Sequence, residues 1–418
     1  MLHLGHTVAS MSTSTYTESS RDTGSAPHEG RIITGPLALV FLSEFCALTS
    51  FYLLLSVTPM FAAAAGAGSA GAGLVTGVLL LGTVAAELAA PSVMKRFGYR
   101  APLAAGAVML GLPALALLPA SPLATIVTVS VVRGFGFGLA TVITGALTAA
   151  LLPPGRRGEG LGLFGVVACV PGVVALPSGV WLAGHYGSAV VVGMTAVTAL
   201  VPLAVFPWLP RAAGRPGTGA ADAGLRAGLL HGGQLRLSLI FAASTVAAGV
   251  VVSFLPLAAG VSGNVAAIGL LAQALTATVS RWWAGRHGDR HGHARLLIPG
   301  LAVASLGMIT MLWLASPAAV IAGMCLFGTG FGIIQNATFT LMIDRAPASG
   351  LGTASALWNL AYDAGYGAGP AMFGLFVGHT GYPAAFALTG LLMLAALPSA
   401  RRESAAGAAV PVIARSGC

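Results

Sequence analysis

Charged residues are scarce in this sequence. Only 7% of the 418 residues are Asp, Glu, Lys or Arg, while 56% are hydrophobic and the mean hydropathy is +0.88. A soluble protein carries about 25% charged residues, which cover its surface. The composition therefore excludes a soluble globular domain and indicates a chain whose solvent is lipid.

Metal-binding and nucleotide-binding patterns are also missing. The four cysteines, Cys46, Cys169, Cys325 and Cys418, show neither metal-ligand nor disulfide spacing. A phosphate-binding loop of the type G-x-x-x-x-G-K-[ST] does not occur. We therefore expect no metal, no cofactor and no ATP-driven chemistry, and the scattered charges argue against an enzyme.

The apolar residues fall into segments long enough to cross a bilayer, which takes about 20 residues. Cutting the chain at charges and glycine-rich breaks predicts an all-α membrane protein with twelve transmembrane helices in two six-helix halves. The predicted spans are 35–61, 72–94, 101–120, 123–150, 160–183, 187–208, 236–259, 265–284, 296–315, 318–343, 352–377 and 381–399.

The domain prediction follows from this division. A disordered cytoplasmic tail, rich in Ser and Thr, covers residues 1–33, and the N-terminal half covers 34–209. A cytoplasmic linker at 210–235 joins it to the C-terminal half at 236–399, which a cytoplasmic tail at 400–418 follows.

The basic residues test this topology. If the N-terminus is cytoplasmic, the predicted outer loops contain no Lys or Arg, as the positive-inside rule requires. The formal charge of +9 then reflects topology, so nucleic acid is not an expected partner. The inner loops and tail hold Lys95, Arg96, Arg100, Arg156, Arg157, Arg211, Arg215, Arg226, Arg286, Arg290, Arg295, Arg345, Arg401, Arg402 and Arg415.

Landmarks in the two halves share one sequence offset. Gly98 and Gly292 are 194 positions apart, and so are Arg96 and Arg290. The same offset relates the glycine runs that begin at Gly134 and Gly328. A shared offset over such distances predicts a duplicated membrane half.

These motifs resemble the major facilitator superfamily of secondary transporters. Its signature G-x-x-x-D-R-x-G-R/K-R/K between helices 8 and 9 matches Gly285, Asp289, Arg290 and Gly292, with His293 and Ala294 in place of the basic pair. The copy between helices 2 and 3 is degenerate, because Pro91 replaces the glycine and Lys95 the acid. Of that copy, Arg96, Gly98 and Arg100 remain.

The resemblance implies a cytoplasmic gate at these motifs. Asp289 is expected to latch the halves by facing the positive end of helix 5 near Gly160, whereas Lys95 cannot do the mirror-image job against helix 11. The alternative is that both motifs are basic turns that only fix topology.

Ionisable side chains inside the predicted spans are costly and suggest function. Glu44 in helix 1 and Arg133 in helix 4 are expected to face one cavity, where Glu44 would carry a proton and bond reversibly to Arg133 or to substrate. A static buried pair that fixes helix packing is the alternative. Asp363 in helix 11 is the candidate of the C-terminal half, while Glu87 is expected to pair with loop arginines.

Neutral polar residues complete the predicted pathway. They are Gln273 in helix 8, Gln335 and Asn336 in helix 10, and Asn359 beside Asp363. Such groups bind substrate in transporters but also link helices.

The resemblance and these residues together predict a proton-coupled exporter of small amphipathic organic molecules. We expect it to work as a monomer in the plasma membrane, driven by the proton gradient, with both termini in the cytoplasm. A proton-linked nutrient importer is the first alternative, and a transporter-like sensor is the second.

Overall fold

The computed structural model describes residues 33–117, 121–152, 157–209, 233–346 and 351–408. The predicted tail at 1–33 and linker at 210–235 lie almost entirely outside these ranges. The boundaries of the two halves therefore stay predictions.

The described residues contain twelve helices that belong to membrane crossings, which we number α1 to α12, and a further helix, α13. Short 3₁₀ turns extend α3, α6 and α9 to the length of a membrane crossing. The helices are α1 Gly35–Leu55, α2 Gly68–Phe97, α3 Arg100–Gly111, α4 Leu123–Leu151, α5 Arg157–Tyr186, α6 Ser188–Leu200, α7 Gln234–Phe254, α8 Gly263–His291, α9 Leu297–Thr310, α10 Pro317–Asp344, α11 Leu351–Thr380, α12 Tyr382–Leu394 and α13 Leu397–Ala408.

The twelve crossings agree with the predicted spans. Within the described residues, ten helical stretches are long and apolar enough to cross a membrane, and the first of them, Gly35–Phe97, contains both α1 and α2. Gly66 and Gly68 break this stretch with positive φ values of 80° and 60°, which glycine adopts without steric cost. With α11, which has 30 residues, the number of crossings is twelve.

The predicted duplication is visible in the backbone. Positive-φ glycines occur in three pairs that are each 194 residues apart: Gly66 with Gly260, Gly98 with Gly292, and Gly187 with Gly381. The bounds of α5 and α11 differ by the same offset. The two halves therefore repeat one chain path, with turns at equivalent positions.

Large apolar side chains cover the outside of the bundle. Leu81, Leu88 and Leu375 are each more than 60% exposed, as lipid-facing residues of a membrane helix are. The chain is a multi-pass membrane protein. We call the end of the bundle that carries Lys95, Arg290 and the described chain ends the basic end.

The segment after α12 corrects the prediction of a tail from residue 400. It forms α13, and Glu403 on this helix is fully buried. Its Oε1 lies 2.7 Å from Arg236 Nε, and its Oε2 lies 2.6 Å from Arg345 Nη1. Glu403 therefore ties the end of the chain to the start of α7 and the end of α10.

Candidate functional site: a cavity between the two halves

The two halves touch closely on the side away from the basic end. Ser69 Oγ of α2 donates a hydrogen bond to the Gly374 carbonyl of α11 at 2.9 Å. A Cβ atom on Gly73 would overlap the carbonyl oxygen of Pro370. Thr76 Oγ1 also lies 3.0 Å from Ser253 Oγ of α7. Small residues thus let α2 pack directly on the C-terminal half.

A cavity of about 540 Å³ lies between the halves, nearer the basic end. Its walls come from α1, α2, α4 and α5 of the N-terminal half and from α11 of the C-terminal half. Six aromatic rings and three carboxyl groups line it, and none of its described lining residues is Lys, Arg or His. These rings and carboxyl groups belong to Phe51, Tyr52, Phe137, Phe164, Tyr362, Tyr366, Glu44, Glu87 and Asp363.

Glu44 lines this cavity, but its bonding partner differs from the predicted one. The side chain is 4% exposed, and Thr144 Oγ1 of α4 donates a hydrogen bond to Glu44 Oε2. Arg133 is not an ion-pair partner of Glu44 in the described structure. The predicted Glu44–Arg133 pair is therefore wrong for this conformation, and Thr144 is the residue that orients the carboxyl group.

Arg133 is buried between helices and is not among the residues that line the cavity. Its Nη1 donates to the Leu110 carbonyl of α3 at 2.6 Å, and its Nη2 donates to the Ser50 carbonyl of α1 at 3.1 Å. Only 2% of the residue is exposed. Arg133 thus links three helices of the N-terminal half, which corrects its predicted place in the pathway.

Glu87 and Asp363 meet across the two halves. Both line the cavity, on helices α2 and α11, and their carboxyl groups interact with each other. Beside them, Tyr52 of α1 and Tyr362 of α11 also line the cavity and interact with each other. The expectation that Glu87 serves loop arginines is wrong.

One of the four predicted neutral polar residues lines the cavity, and the other three do not. Asn359 lines the cavity one turn before Asp363. Gln273, Gln335 and Asn336 are not among the lining residues of the described chain; both glutamines are buried, and Asn336 Oδ1 is buried without a hydrogen-bond partner. Asn336 of α10 faces α8, since a Cβ atom on Gly285 would lie 3.4 Å from its Nδ2.

The gate motifs lie mainly on helix ends rather than in loops. Asp289 and Arg290 belong to the last turn of α8, as Lys95 and Arg96 do in α2, while Gly292 and Gly98 make the turns. Gly285 lies one turn before Asp289 on α8.

The described contacts of these motifs differ from a closed latch. Asp289 is 75% exposed, and its ion-pair partner is His293 Nε2 at 3.8 Å. A contact with α5 near Gly160 is not among the described interactions, so the latch stays a prediction. Arg100 donates to the Pro207 carbonyl at 2.8 Å and so fastens α3 to the turn after α6.

The site residues predicted from the sequence did not include Tyr52, Tyr362, Tyr366 or Thr144, although Tyr52 is one of the aromatic residues that could line a pocket. A signal existed in α11, because Asn359, Tyr362, Asp363 and Tyr366 recur at the three- and four-residue spacing of one helix face. The pairing of this face with Glu87 depends on the contact between the halves, which one sequence does not reveal.

Twelve helices in two repeated halves around a central cavity are the architecture of many secondary transporters. The family model of the Major Facilitator Superfamily matches residues 40–370. The chain belongs to this superfamily, and it is a transporter rather than an enzyme.

Solved structures with the same fold come from transporters of different substrates. The inward-open xylose transporter XylE from E. coli has a TM-score of 0.68 and 16% identity, with 87% of this chain and 94% of that chain covered. A bacterial homologue of the human lysosomal transporter Spinster, inward-facing and occupied, has a TM-score of 0.71 and 18% identity, with 88% and 94% covered. An auto-inhibited POT family peptide transporter has a TM-score of 0.72 and 14% identity, with 92% and 98% covered.

Proposed function

We propose that this chain is a proton-coupled exporter of small amphipathic organic molecules. It works by alternating access, as a monomer in the plasma membrane, with the basic end facing the cytoplasm. The proton gradient drives it, and no other cofactor takes part. In this account the described conformation is the inward-facing one, because the halves touch on the side away from the basic end.

The cavity lining carries this proposal. Aromatic rings offer apolar surface to a substrate, and the carboxyl groups of Glu44, Glu87 and Asp363 supply proton-binding groups in the same space. Besides the hydroxyl groups of its three tyrosines, the described lining includes three neutral polar side chains that could hold the hydroxyl or amide groups of a nutrient: Thr141, Ser355 and Asn359. This balance favours amphipathic molecules over sugars.

A proton-linked importer is the second candidate function. One similar solved structure is a D-xylose-proton symporter, with a TM-score of 0.68 and 16% identity. Since this likeness supports the fold alone, it leaves the direction of transport to experiment. The same carboxyl groups would then bind the proton together with the substrate.

Proteoliposomes test the proposal directly. The internal pH is followed with a trapped dye while hydrophobic cations, antibiotics, sugars and amino acids are added one class at a time. We expect amphipathic compounds to move protons and sugars or amino acids to leave the pH unchanged. Proton movement with sugars alone would support the importer, and exchange without proton movement would contradict coupling.

Counterflow separates transport from sensing. Vesicles loaded with an unlabelled compound that binds are mixed with the labelled compound outside, and accumulation of label is measured. A transporter exchanges the two pools. Binding without exchange would instead support a transporter-like sensor.

A further inference from the structure

We propose that Glu87 and Asp363 are coupling residues that share one proton across the two halves, so that loss of this proton releases α2 from α11. This inference names the coupling groups of the proposed proton-driven cycle and rests on that function. It adds a contact between the halves to the coupling role proposed for Glu44, a residue of one half.

The first observation is the contact itself. Glu87 of α2 and Asp363 of α11 line the same cavity on two helices that pack directly against each other across the halves, and their carboxyl groups interact. A hydrogen bond between two carboxyl groups needs a proton on one of them. Two ionised carboxylates at this separation would repel, and the surrounding apolar helices would not screen that repulsion. The number of protons on the pair therefore decides whether the contact attracts or repels.

The second observation is its place in the interface. Glu87 and Asp363 lie at the cavity end of the α2–α11 contact, whose remainder is held by small residues and by the bond from Ser69 to Gly374. Gly77 approaches α11 so closely that a Cβ atom there would lie 3.2 Å from Ala371 Cβ. A change in the protonation of the carboxyl pair thus acts on the α2–α11 contact, which few other polar bonds hold together.

The third observation is the asymmetry of the duplicated halves. The positions 194 residues from Glu87 and Asp363 are occupied by Arg281 in α8 and Cys169 in α5. The equivalent contact between α8 and α5 cannot contain a carboxyl pair. Proton sharing is therefore possible at the α2–α11 interface and not at its repeat between α8 and α5. The proposed proton loss would thus open one interface and not the other.

Other titratable groups surround the pair, and the test must separate them from it. Tyr52 and Arg281 of α8 both interact electrostatically with Tyr362. The titratable and charged groups that face the pair or its tyrosine neighbours are Glu44 and Tyr52 of α1, Cys169 of α5, Arg281 of α8, and Tyr362 and Tyr366 of α11.

The experiment measures the distance between the halves as a function of pH. Spin labels replace Tyr186 and Thr380, equivalent residues of α5 and α11 at the end away from the basic loops, in full-length protein without its four native cysteines. We expect the distance distribution to shift to longer values as the pH rises, because the ionised pair separates α2 from α11.

Substitutions assign the response to the pair. Glu87→Gln and Asp363→Asn each keep a hydrogen-bond donor in the contact without a titrating proton. We expect both variants to stay at short distances and to lose the pH dependence. Asp344→Asn, at an exposed carboxylate of the basic end, should respond as the unsubstituted protein does.

Two results would overturn the proposal. One is a distance distribution that does not change with pH, and the other is a pH response that survives in Glu87→Gln and Asp363→Asn but disappears in Glu44→Gln. The distances are measured without substrate or flux. A failure of proton-coupled export in proteoliposomes can therefore be told apart from a failure of the carboxyl pair.

Discussion

Glu44 and Arg133 are both buried charges of the N-terminal half, and the structure gives them different roles. Glu44 faces the cavity and accepts a hydrogen bond from Thr144, whereas Arg133 donates to two backbone carbonyls away from the cavity. Burial made both residues candidates, since an ionisable group at membrane depth is costly. The orientation of each side chain distinguishes the two roles: Glu44 can bind a proton in the cavity, whereas Arg133 holds helices together.

Glu44→Gln should abolish proton-driven transport while substrate binding stays largely intact. The amide oxygen can still accept the hydrogen bond from Thr144, so the local packing is kept, but the side chain no longer takes up a proton. Uptake driven by a pH gradient and equilibrium binding are measured on the same preparation. If gradient-driven uptake persists, Glu44 has no part in coupling.

Arg133→Met should destabilise the protein more than it alters substrate binding. The change removes two charge-assisted hydrogen bonds, each worth about 1.5–3 kcal/mol, to the carbonyls of Leu110 and Ser50. Thermal unfolding in detergent measures the loss, and Arg133→Lys, which retains the charge, should recover part of it. Unchanged stability together with lost coupling would return Arg133 to the transport pathway.

At the scale of helices, composition was enough to locate the elements. The apolar segments and glycine breaks predicted every crossing, and the predicted span 352–377 corresponds to α11 at Leu351–Thr380. Contacts between distant segments were not predictable in this way. Glu403 was assigned to a tail because its partners, Arg236 and Arg345, are distant in the sequence. A local sequence pattern does not reveal such partners.

Glu403→Gln should lower the free energy of unfolding by about 1.5–3 kcal/mol, because it weakens the charge-assisted bonds to Arg236 and Arg345, whose side chains are 41% and 29% exposed and stay partly solvated. Chemical or thermal unfolding of the purified protein measures this. Arg401→Gln on the exposed face of α13 is the matched control and should have little effect. Equal stability of the two variants would mean that the ion pairs do not hold α13 in place.

Gly73→Ala should weaken the contact between α2 and α11. The new methyl group would overlap the Pro370 carbonyl, so the helices must separate, and the population with the halves apart at this end should increase. The Tyr186–Thr380 label distance reports the change. Gly193→Ala, where a Cβ atom meets nothing within 4 Å, is the control and should leave the distance unaltered.

At the scale of the whole molecule, the offset of 194 residues predicted the duplicated architecture, and the paired turn glycines confirm it. Function depends on where the halves differ. Asp289 has no acidic counterpart in the N-terminal half, since Lys95 occupies the equivalent place, and Glu87 has Arg281 as its counterpart. The alternation between two conformations therefore rests on contacts that the duplication does not repeat.

Asp289→Asn should shift the protein toward the conformation described here without loss of folding. In this conformation Asp289 is 75% exposed and pairs only weakly with His293, so its neutralisation costs little. In the alternate conformation, with the basic end closed, the proposed latch to the positive end of α5 would lose its charge. The expected result is a shorter mean Tyr186–Thr380 distance and a longer one between labels at the basic end.

Asp344→Asn removes another exposed carboxylate from the same end and should change neither distance. If Asp289→Asn also leaves both distributions unchanged, then the latch does not exist, and the motif at Gly285–Gly292 only fixes the turn and the topology.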